Sequence, residues 1–471
     1  MKEIGLGFIQ AYNWLILLYF LGLNGTYILL NVLSFFAVRR YLGERKATEL
    51  KKVFQSTFFK PISIIAPAYN EEETIAESVK SFLQLQYPEH EVVVVDDGST
   101  DNTMKVLIET YKMVKAPITY AEQIDCKRIK GIYVSPEYTN LVLVNKENGG
   151  KGDALNAGIN IARYPLVCFI DADSLLESDA LLKVVRPFLE NLNTVAVGGI
   201  VRISNGCKVK AGRVIEVGTA KNSLVRFQIV EYLRTFLFGR TGWDVLNGML
   251  IISGAFGLFS KEAVMECGGY RNDTVGEDME LVVRLHRTMR KKKRQYRITF
   301  IADPVCWTQV PEKLKILSRQ RSRWQRGLMD SMLFNIKMLF NPKYGIVGLV
   351  AMPFFFFFEM LGPIAELTGY IVFFVSWYFN IVSFTFALFF LAAAIVLGIV
   401  LSMGSLVLEE LSFRRYPKII HLVILFAYAV LENFGYRQLN TWWRFRGFLD
   451  HILGKKGWGK MERKGFQAAK Q

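Results

Sequence analysis

The sequence predicts an α/β unit, with a mixed and mainly parallel sheet flanked by helices, joined to an α-helical membrane region. Three observations lead to this prediction. Hydrophobic residues make up 51% of the 471-residue chain, long apolar runs lie near both ends, and short apolar segments alternate with helical ones between them. The length is sufficient for one sizeable soluble unit together with several membrane helices.

Residues 1–40 are predicted to form one transmembrane helix. The apolar run from 12 to 38 is long enough to cross a bilayer at about 1.5 Å per residue, and it ends in Arg39-Arg40. A cleaved signal peptide would instead have a shorter apolar core and a small-residue exit. We therefore expect this helix to remain in the mature protein, followed by a charged linker over 41–60.

The α/β unit is predicted over 61–306. A helix is expected at 71–83, and strands are expected at 62–67, 91–96, 141–144 and 166–170. Two of these strands run directly into carboxylates, at Asp96-Asp97 and at Asp171. Open α/β sheets bind ligands at the carboxyl ends of their strands, so a site is predicted there.

Interfacial helices are predicted over 307–344, transmembrane helices over 345–438 and a basic amphipathic tail over 439–471. Three passes are expected, at 349–376, 381–408 and 419–431. Glu359 and Glu366 should face protein, water or sugar, because carboxylates facing lipid are costly. A membrane boundary nearby accounts for them equally well. With one pass at the N-terminus, this count would place the basic tail opposite the α/β unit, against the positive-inside tendency. Either a segment is re-entrant or the count is too high.

The formal net charge of +16 is assigned mainly to membrane-flanking positions. The basic runs are scattered and no nucleic-acid motif accompanies them, so no nucleic-acid partner is expected. The five cysteines form no Cys-x-x-Cys pair, which is typical of reduced thiols facing the cytosol. The four histidines match no metal-ligand spacing, so no zinc site is expected.

The first candidate motif surrounds the end of the second predicted strand. Asp97 is predicted to accept a hydrogen bond from the imide N–H of uracil, with Tyr69 and Glu71 contributing to the same nucleotide-sugar pocket. A plain strand-to-helix turn capped by Ser99 or Asp101 accounts for the same residues.

A glycine-rich loop over 148–156 and the motif Asp171-Ala172-Asp173 follow. The loop lacks P-loop spacing, but its backbone amides and Lys151 can contact a diphosphate; a solvated surface lysine is equally consistent.

A divalent cation, Mg²⁺ or Mn²⁺, is predicted at Asp173, where it would bridge to phosphate oxygens. Asp171 is predicted to contact the ribose or the metal's ligand shell.

Gly276-Glu277-Asp278 precedes a predicted helix over 279–289. A carboxylate at a helix N-terminus stays ionised at neutral pH, so Asp278 is the candidate general base. A simple helix cap is the alternative.

The run from Gln320 to Trp324 lies ahead of the apolar region. It contains an amide, the Arg323 guanidinium suited to phosphate, and an indole suited to stacking on a sugar ring. An interfacial membrane anchor has similar composition.

The order of these motifs resembles that of the family-2 glycosyltransferases, especially the processive membrane synthases of cellulose, chitin, hyaluronan and poly-N-acetylglucosamine. The resemblance covers about 61–338. It implies a GT-A fold and an inverting reaction with Asp278 as base. It also implies that Glu277, Gln320 and Trp324 contact the acceptor while Arg323 supports the diphosphate. One departure is the segment from 204 to 247, which looks like an insertion.

Three functions remain open from the sequence. The first is a processive synthase that takes UDP-N-acetylglucosamine or UDP-glucose and extends an oligosaccharide threaded through the membrane. The second transfers a single sugar to a lipid acceptor, and the third is a catalytically silent scaffold of a secretion complex. The expected location is the cell membrane, multi-pass, with the α/β unit in the cytosol among membrane lipids and a possible accessory membrane subunit.

Overall fold

The computed structural model describes residues 2–47, 59–413, 416 and 418–455. Most of the predicted linker and the last sixteen positions of the predicted tail, 456–471, lie outside the described residues. The chain begins with a long helix, α1 (Lys2–Ala47), which extends beyond the predicted boundary at residue 40.

A ten-stranded mixed sheet forms the centre of the α/β unit, which we define as residues 59–334. Its strands are β1 (Ile62–Ala68), β2 (His90–Asp96), β3 (Val114–Ala116), β4 (Ile129–Val134), β5 (Leu141–Lys146), β6 (Leu166–Ile170), β7 (Leu175–Leu176), β8 (Thr194–Ile203), β11 (Phe256–Ser260) and β12 (Arg297–Thr308). A separate hairpin consists of β9 (Lys208–Lys210) and β10 (Arg213–Glu216).

The strand order is β3-β4-β5-β2-β1-β6-β11-β8-β12-β7. The four neighbours β5, β2, β1 and β6 are parallel, and β8 is also parallel to β12. The central strands are buried on both faces, as their continuous Val and Ile runs predict.

Helices cover both faces of this sheet. They are α2 (Ile75–Leu83), α3 (Thr103–Tyr111), α4 (Lys151–Ile161), α5 (Ala180–Glu190), α6 (Ser223–Leu233), α7 (Thr241–Val245), α8 (Lys261–Glu266), α9 (Glu277–Lys291) and α10 (Leu314–Phe334). Helix α2 begins four residues later than predicted, after a turn in which Asn70 adopts a positive φ of 57°. A π-helical turn, Arg234–Arg240, joins α6 to α7.

The membrane region contains α11 (Val347–Met360), α12 (Gly362–Tyr378), α13 (Phe384–Ser412), α14 (Ile419–Leu431) and α15 (Tyr436–Ile452). Among the described residues, α13 and the stretch Gly7–Gly43 of α1 are long and apolar enough to cross a membrane. Two further pairs qualify only when joined: α11 with α12, bent by 47°, and α14 with α15, bent by 59°.

Contacts tie α14 and α15 to the α/β unit. Lys418, next to the start of α14, lies 3.7 Å from Glu216 of β10. The hydroxyl of Tyr428 is 2.7 Å from that of Ser223. Tyr436, at the start of α15, donates to Glu231 at 2.9 Å. Helix α14 is therefore held against the α/β unit along its length, unlike a helix that leaves for the opposite membrane face.

Candidate active site

Parallel pairing gathers the predicted polar residues at one edge of the sheet. Strands β1, β2, β5 and β6 run in the same direction, so Tyr69, Asp97, Lys146 and Asp171 all lie at their carboxyl ends. This arrangement explains how residues about a hundred positions apart come to share one site.

Asp97 is held by donors from the protein itself. Its carboxylate accepts from Lys146 Nζ at 2.5 Å, from the Gly149 N–H at 3.0 Å and from the Gly150 N–H at 2.8 Å. Lys146 is fully buried and also lies 2.6 Å from Asp153. Asp97 thus fixes the start of the glycine-rich loop, and its contact with uracil stays a prediction. Sequence reasoning missed Lys146, although a lysine ending a buried strand was a usable signal.

A cavity of about 810 Å³ runs from this edge of the sheet to the space between the membrane helices. Eight of the predicted site residues border it: Lys151, Asp171, Asp173, Glu277, Asp278, Gln320, Arg323 and Trp324. Three do not: Tyr69, which is half exposed, Glu71, whose carboxylate accepts from Thr74 at 3.1 Å, and Asp97.

Lys151 lies among carboxylates at the wall of the cavity. Its Nζ is 2.6 Å from Asp171 and 3.7 Å from Glu277. Burial lowers the pKa of Lys151, but Asp171 and Glu277 raise it further, so the net shift is upward and the ammonium stays charged. A charged lysine at the first turn of α4 is suited to contact a phosphate.

Asp173 is buried beside Asp171, and burial together with that neighbouring charge raises the pKa of Asp173 to about 7. A buried carboxylate facing a cavity is a suitable oxygen ligand for Mg²⁺ or Mn²⁺. Within the described residues, no group of three or more His, Cys, Asp or Glu side chains is placed to hold a metal. A cation at Asp173 would take its further oxygen ligands from groups such as water or a bound diphosphate.

Asp278 occupies the first turn of α9, where the helix dipole favours a negative charge. Its Oδ2 accepts from the Gly254 N–H at 2.9 Å, and its Oδ1 accepts from the Met279 N–H at 2.8 Å. Gly254 also lies close to Lys151: a Cβ added at this glycine would be 2.9 Å from Lys151 Nζ. Burial raises the pKa of the adjacent Glu277. Backbone N–H donors thus surround the Asp278 carboxylate, whereas burial is the main influence on the pKa of the neighbouring Glu277.

Helix α10 carries the Gln-x-x-Arg-Trp motif along the cavity. Gln320 is buried, Arg323 is half-buried and Trp324 is 41% exposed. The guanidinium of Arg321 lies 4.2 Å from the centroid of the Trp324 ring and donates to Glu231 at 2.7 Å. The indole is therefore held in place from one side.

Polar side chains lie among apolar ones at the membrane end of the cavity. Glu359 accepts hydrogen bonds from Tyr27 and from Arg444, the latter at 3.0 Å. Glu366 accepts from Thr441 at 2.6 Å. The expectation that both glutamates avoid lipid agrees with these contacts. Arg444 and Thr441 belong to α15, part of which was predicted as a tail, and sequence reasoning missed their contribution.

Arg240, in the segment predicted to be an insertion, also borders the cavity. Nothing in the local sequence distinguishes it from the other arginines, and sequence reasoning did not select it.

Three family models match parts of the chain. Residues 63–123 match the model described as glycosyl transferase family 2, and residues 125–327 match the one described as glycosyltransferase like family 2. Residues 269–460 match a chitin synthase model, which therefore includes α15.

Two curated relatives carry the name poly-beta-1,6-N-acetyl-D-glucosamine synthase. The one from Staphylococcus epidermidis is 30% identical over 266 residues, which is 56% of this chain and 54% of the relative. The one from Staphylococcus aureus (strain COL) is 30% identical over 267 residues, with the same shares. The chain thus spans about half the length of the curated relatives it matches.

Among solved structures, a mannosyltransferase from Pyrobaculum calidifontis, in complex with GDP-Man and Mn²⁺, has a TM-score of 0.51 and 20% identity. The match covers 88% of this chain and 99% of that one. This similarity supports the GT-A fold. Residues 63–327 are therefore a family 2 glycosyltransferase domain with a GT-A fold, joined to apolar helices.

Proposed function

We propose that the protein transfers a hexose or N-acetylhexosamine, with inversion, from UDP-N-acetylglucosamine or UDP-glucose to the non-reducing end of a growing β-linked polysaccharide extruded through the membrane. One observation carries the proposal: a single cavity connects Asp171, Asp173 and Asp278 with the polar groups between the membrane helices. The relatives named poly-beta-1,6-N-acetyl-D-glucosamine synthase support the choice of sugar class.

In the proposed reaction, Asp278 takes the proton of the acceptor hydroxyl as its oxygen attacks the anomeric carbon. The new C–O bond forms on the face opposite the leaving UDP, whose C–O bond breaks and whose diphosphate keeps the electron pair. Lys151 and Arg323 stabilise the charge on that diphosphate. Asp173 would hold Mg²⁺ or Mn²⁺, and Asp171 would contact either the ligand shell of that metal or the ribose. When bound, the metal would further neutralise the phosphate charge.

The remaining residues bind rather than react in this scheme. Trp324 stacks on the acceptor's terminal sugar, and Gln320 and Glu277 hydrogen-bond to it. Tyr69, Glu71 and Asp97 contribute to the nucleotide pocket. Asp97 would do so while also fixing the glycine-rich loop.

The test is turnover by the purified protein in nanodiscs with Mg²⁺ or Mn²⁺ and single UDP-sugars, following UDP release and product size together. Long product that a specific glycosidase degrades would support the proposal and identify the sugar. Release that requires added lipid and gives one small glycolipid would establish single transfer instead. Absence of turnover with every donor would favour the scaffold or a missing membrane subunit.

Two variants separate the proposed roles. Asp278→Asn should abolish transfer and leave UDP binding nearly unchanged, because only the proton acceptor is lost. Asp173→Ala should remove the metal-dependent part of donor binding. Most of the activity surviving in Asp278→Asn, or wild-type binding that is indifferent to Mg²⁺ and Mn²⁺, would contradict the respective assignment.

We also propose a multi-pass arrangement in the cell membrane with the α/β unit in the cytosol, where UDP-sugars are made. The stretch Gly7–Gly43 of α1, the bent pair α11–α12, and α13 would each cross once. Helices α14 and α15 would stay on the side of the α/β unit, because both contact it. The basic residues that follow α15 would then be cytosolic, in agreement with the positive-inside tendency.

A further inference from the structure

Arg240 is a buried cation, and two of its guanidinium nitrogens have no hydrogen-bond partner among the described residues. Its side chain lies at the end of the π-helical turn Arg234–Arg240, and the residue is 7% exposed. The two nitrogens without a hydrogen-bond partner are Nε and Nη1. The guanidinium lies 3.8 Å from the centroid of the Phe236 ring. Its position is thus held by packing on an aromatic face, while its N–H donors stay available.

Other buried arginines of the protein are paired. Arg202 bonds to Glu409, Arg284 to Glu280 and Arg321 to Glu231. Burial without such a partner is unfavourable, and it lowers the pKa of Arg240 to about 10, which still leaves the group charged at neutral pH. A buried, charged donor that borders a cavity is therefore suited to a ligand that supplies the missing acceptor.

Arg240 and the proposed base Asp278 border the same cavity. The charges acting on Lys151 and Arg323 include those of Asp171 and Glu277 as well as Asp278, which is the arrangement expected around the diphosphate. For Arg240, after the effect of burial, Asp278 is the carboxylate whose charge raises the pKa. The acceptor hydroxyl would lie at Asp278, so the acceptor sugar would occupy the cavity that Arg240 also borders.

The same cavity holds a complementary acceptor. The Oε1 of Gln320 is buried and also has no hydrogen-bond partner among the residues that the structure describes. An acetamido substituent offers both complements, since its carbonyl oxygen accepts and its N–H donates. A plain hydroxyl could satisfy either group, but it is a smaller ligand with a weaker acceptor oxygen.

We propose that Arg240 determines acceptor specificity by donating a hydrogen bond to the acetamido carbonyl oxygen of the acceptor's terminal N-acetylhexosamine. This inference rests on the proposed function, because it assumes that the cavity holds an acceptor sugar. It extends that function by assigning recognition of the N-acetyl group to a residue outside the known motifs.

The test is the Arg240→Met variant with two acceptors, a β-linked N-acetylglucosamine oligosaccharide and the same oligosaccharide after de-N-acetylation. The loss of one charged hydrogen bond should raise KM for the acetylated acceptor by about tenfold or more. KM for the de-N-acetylated acceptor and KM for the UDP-sugar should change little. Arg240→Lys should recover part of the preference. An unchanged KM for the acetylated acceptor, or a raised donor KM instead, would overturn the inference.

Two controls keep the result interpretable. Arg294→Met makes the same chemical change at a partly exposed arginine outside the cavity and should leave both KM values unchanged. Thermal unfolding of Arg240→Met should occur at or above the wild-type temperature, because an unpaired buried charge is removed. A large loss of stability would show that Arg240 is structural.

Direct titration separates this inference from the proposed function. The acetylated oligosaccharide is titrated into wild type and Arg240→Met without donor. Weaker binding by the variant supports the role of Arg240 even where transfer fails. Equal affinity, including equal absence of binding, rejects it, whereas failure of the proposed function appears as absent UDP release.

Discussion

The backbones of Gly276 and Gly327 are in direct contact: a Cβ added at either glycine would lie 2.5 Å from the Cα of the other. Gly276 immediately precedes Glu277 and Asp278, and Gly327 lies on α10, one turn beyond Arg323 and Trp324. The contact therefore fixes the candidate base against the helix that carries the candidate acceptor residues.

Replacing Gly327 with alanine should displace the loop that carries Asp278, because a backbone contact cannot yield as a flexible side chain does. We expect kcat to fall by about 100-fold, which is the order expected for a misplacement of about 1 Å. Binding of UDP should persist, since Lys151 and Asp171 are not in this contact. Turnover and UDP titration measure the two effects separately.

Gly404→Ala is the matched control. Gly404 lies within α13, and a Cβ there would meet no atom within 4 Å. Its kcat should equal that of the wild type. Equal activity of Gly327→Ala and Gly404→Ala would show that the close approach has no role in placing the base.

A second link between the same elements runs through Thr274. Its hydroxyl donates to Asp330 of α10 at 2.8 Å and accepts from the Gly276 N–H at 3.1 Å, and Asp330 also bonds to His451 of α15 at 2.9 Å. Thr274→Val keeps the shape and removes these bonds. We expect kcat to fall roughly tenfold, equivalent to about 1.4 kcal/mol, with the donor KM unchanged.

Thr274→Ser provides the control, because it restores the hydroxyl without the methyl group. Its kcat should lie close to the wild-type value. If Thr274→Ser lowers kcat and Thr274→Val does not, packing of the methyl group rather than the hydrogen bonds positions the loop.

Lys146 should contribute strongly to stability. Lys146→Met would leave Asp97 and Asp153 buried without their cation, and losing one partner of a buried ion pair costs about 3–5 kcal/mol. The glycine-rich loop would also lose its fixed start. Thermal unfolding in nanodiscs and UDP titration should both report the change.

Lys112→Met is the surface counterpart. Lys112 pairs with Glu137, but both side chains are at least half exposed, and such pairs contribute little. Its unfolding temperature should stay at the wild-type value. A Lys146→Met protein that is as stable as Lys112→Met would show that the buried carboxylates find other partners or take up protons at little cost.

The membrane arrangement predicts which surface positions face the same side. Leu453→Cys, just after α15, should be reached only by reagents on the side of the α/β unit, because His451 is bonded to Asp330. Phe379→Cys, in the turn between α12 and α13, should be reached only from the opposite side. Labelling of intact cells with a membrane-impermeant thiol reagent distinguishes them.

In such cells Phe379→Cys should react and Leu453→Cys should react only after permeabilisation. The protein without an added cysteine, labelled in the same way, gives the background from the five native cysteines. Reaction of both positions without permeabilisation would mean that α14 crosses the membrane.

The sequence by itself determined the sheet-forming pattern, and eight of the eleven site residues selected from it border the cavity. Period and composition predicted β1, β2, β5 and β6, and the carboxylates that follow two of these strands pointed to the edge of the sheet that the cavity reaches. Asp171, Asp173 and Asp278 could be selected because their positions relative to strands and helices are local properties. The long apolar run of α1 was equally evident, since its length alone distinguishes it.

Only the tertiary structure decided which distant groups meet. The Lys146–Asp97 ion pair and the Gly276–Gly327 contact each join residues about fifty positions apart. The burial of Arg240 depends on packing, and no local pattern encodes any of the three. The same holds for α15, whose basic composition predicted a tail. Its Arg444 is stabilised by Glu359, a partner that only the fold brings within 3.0 Å.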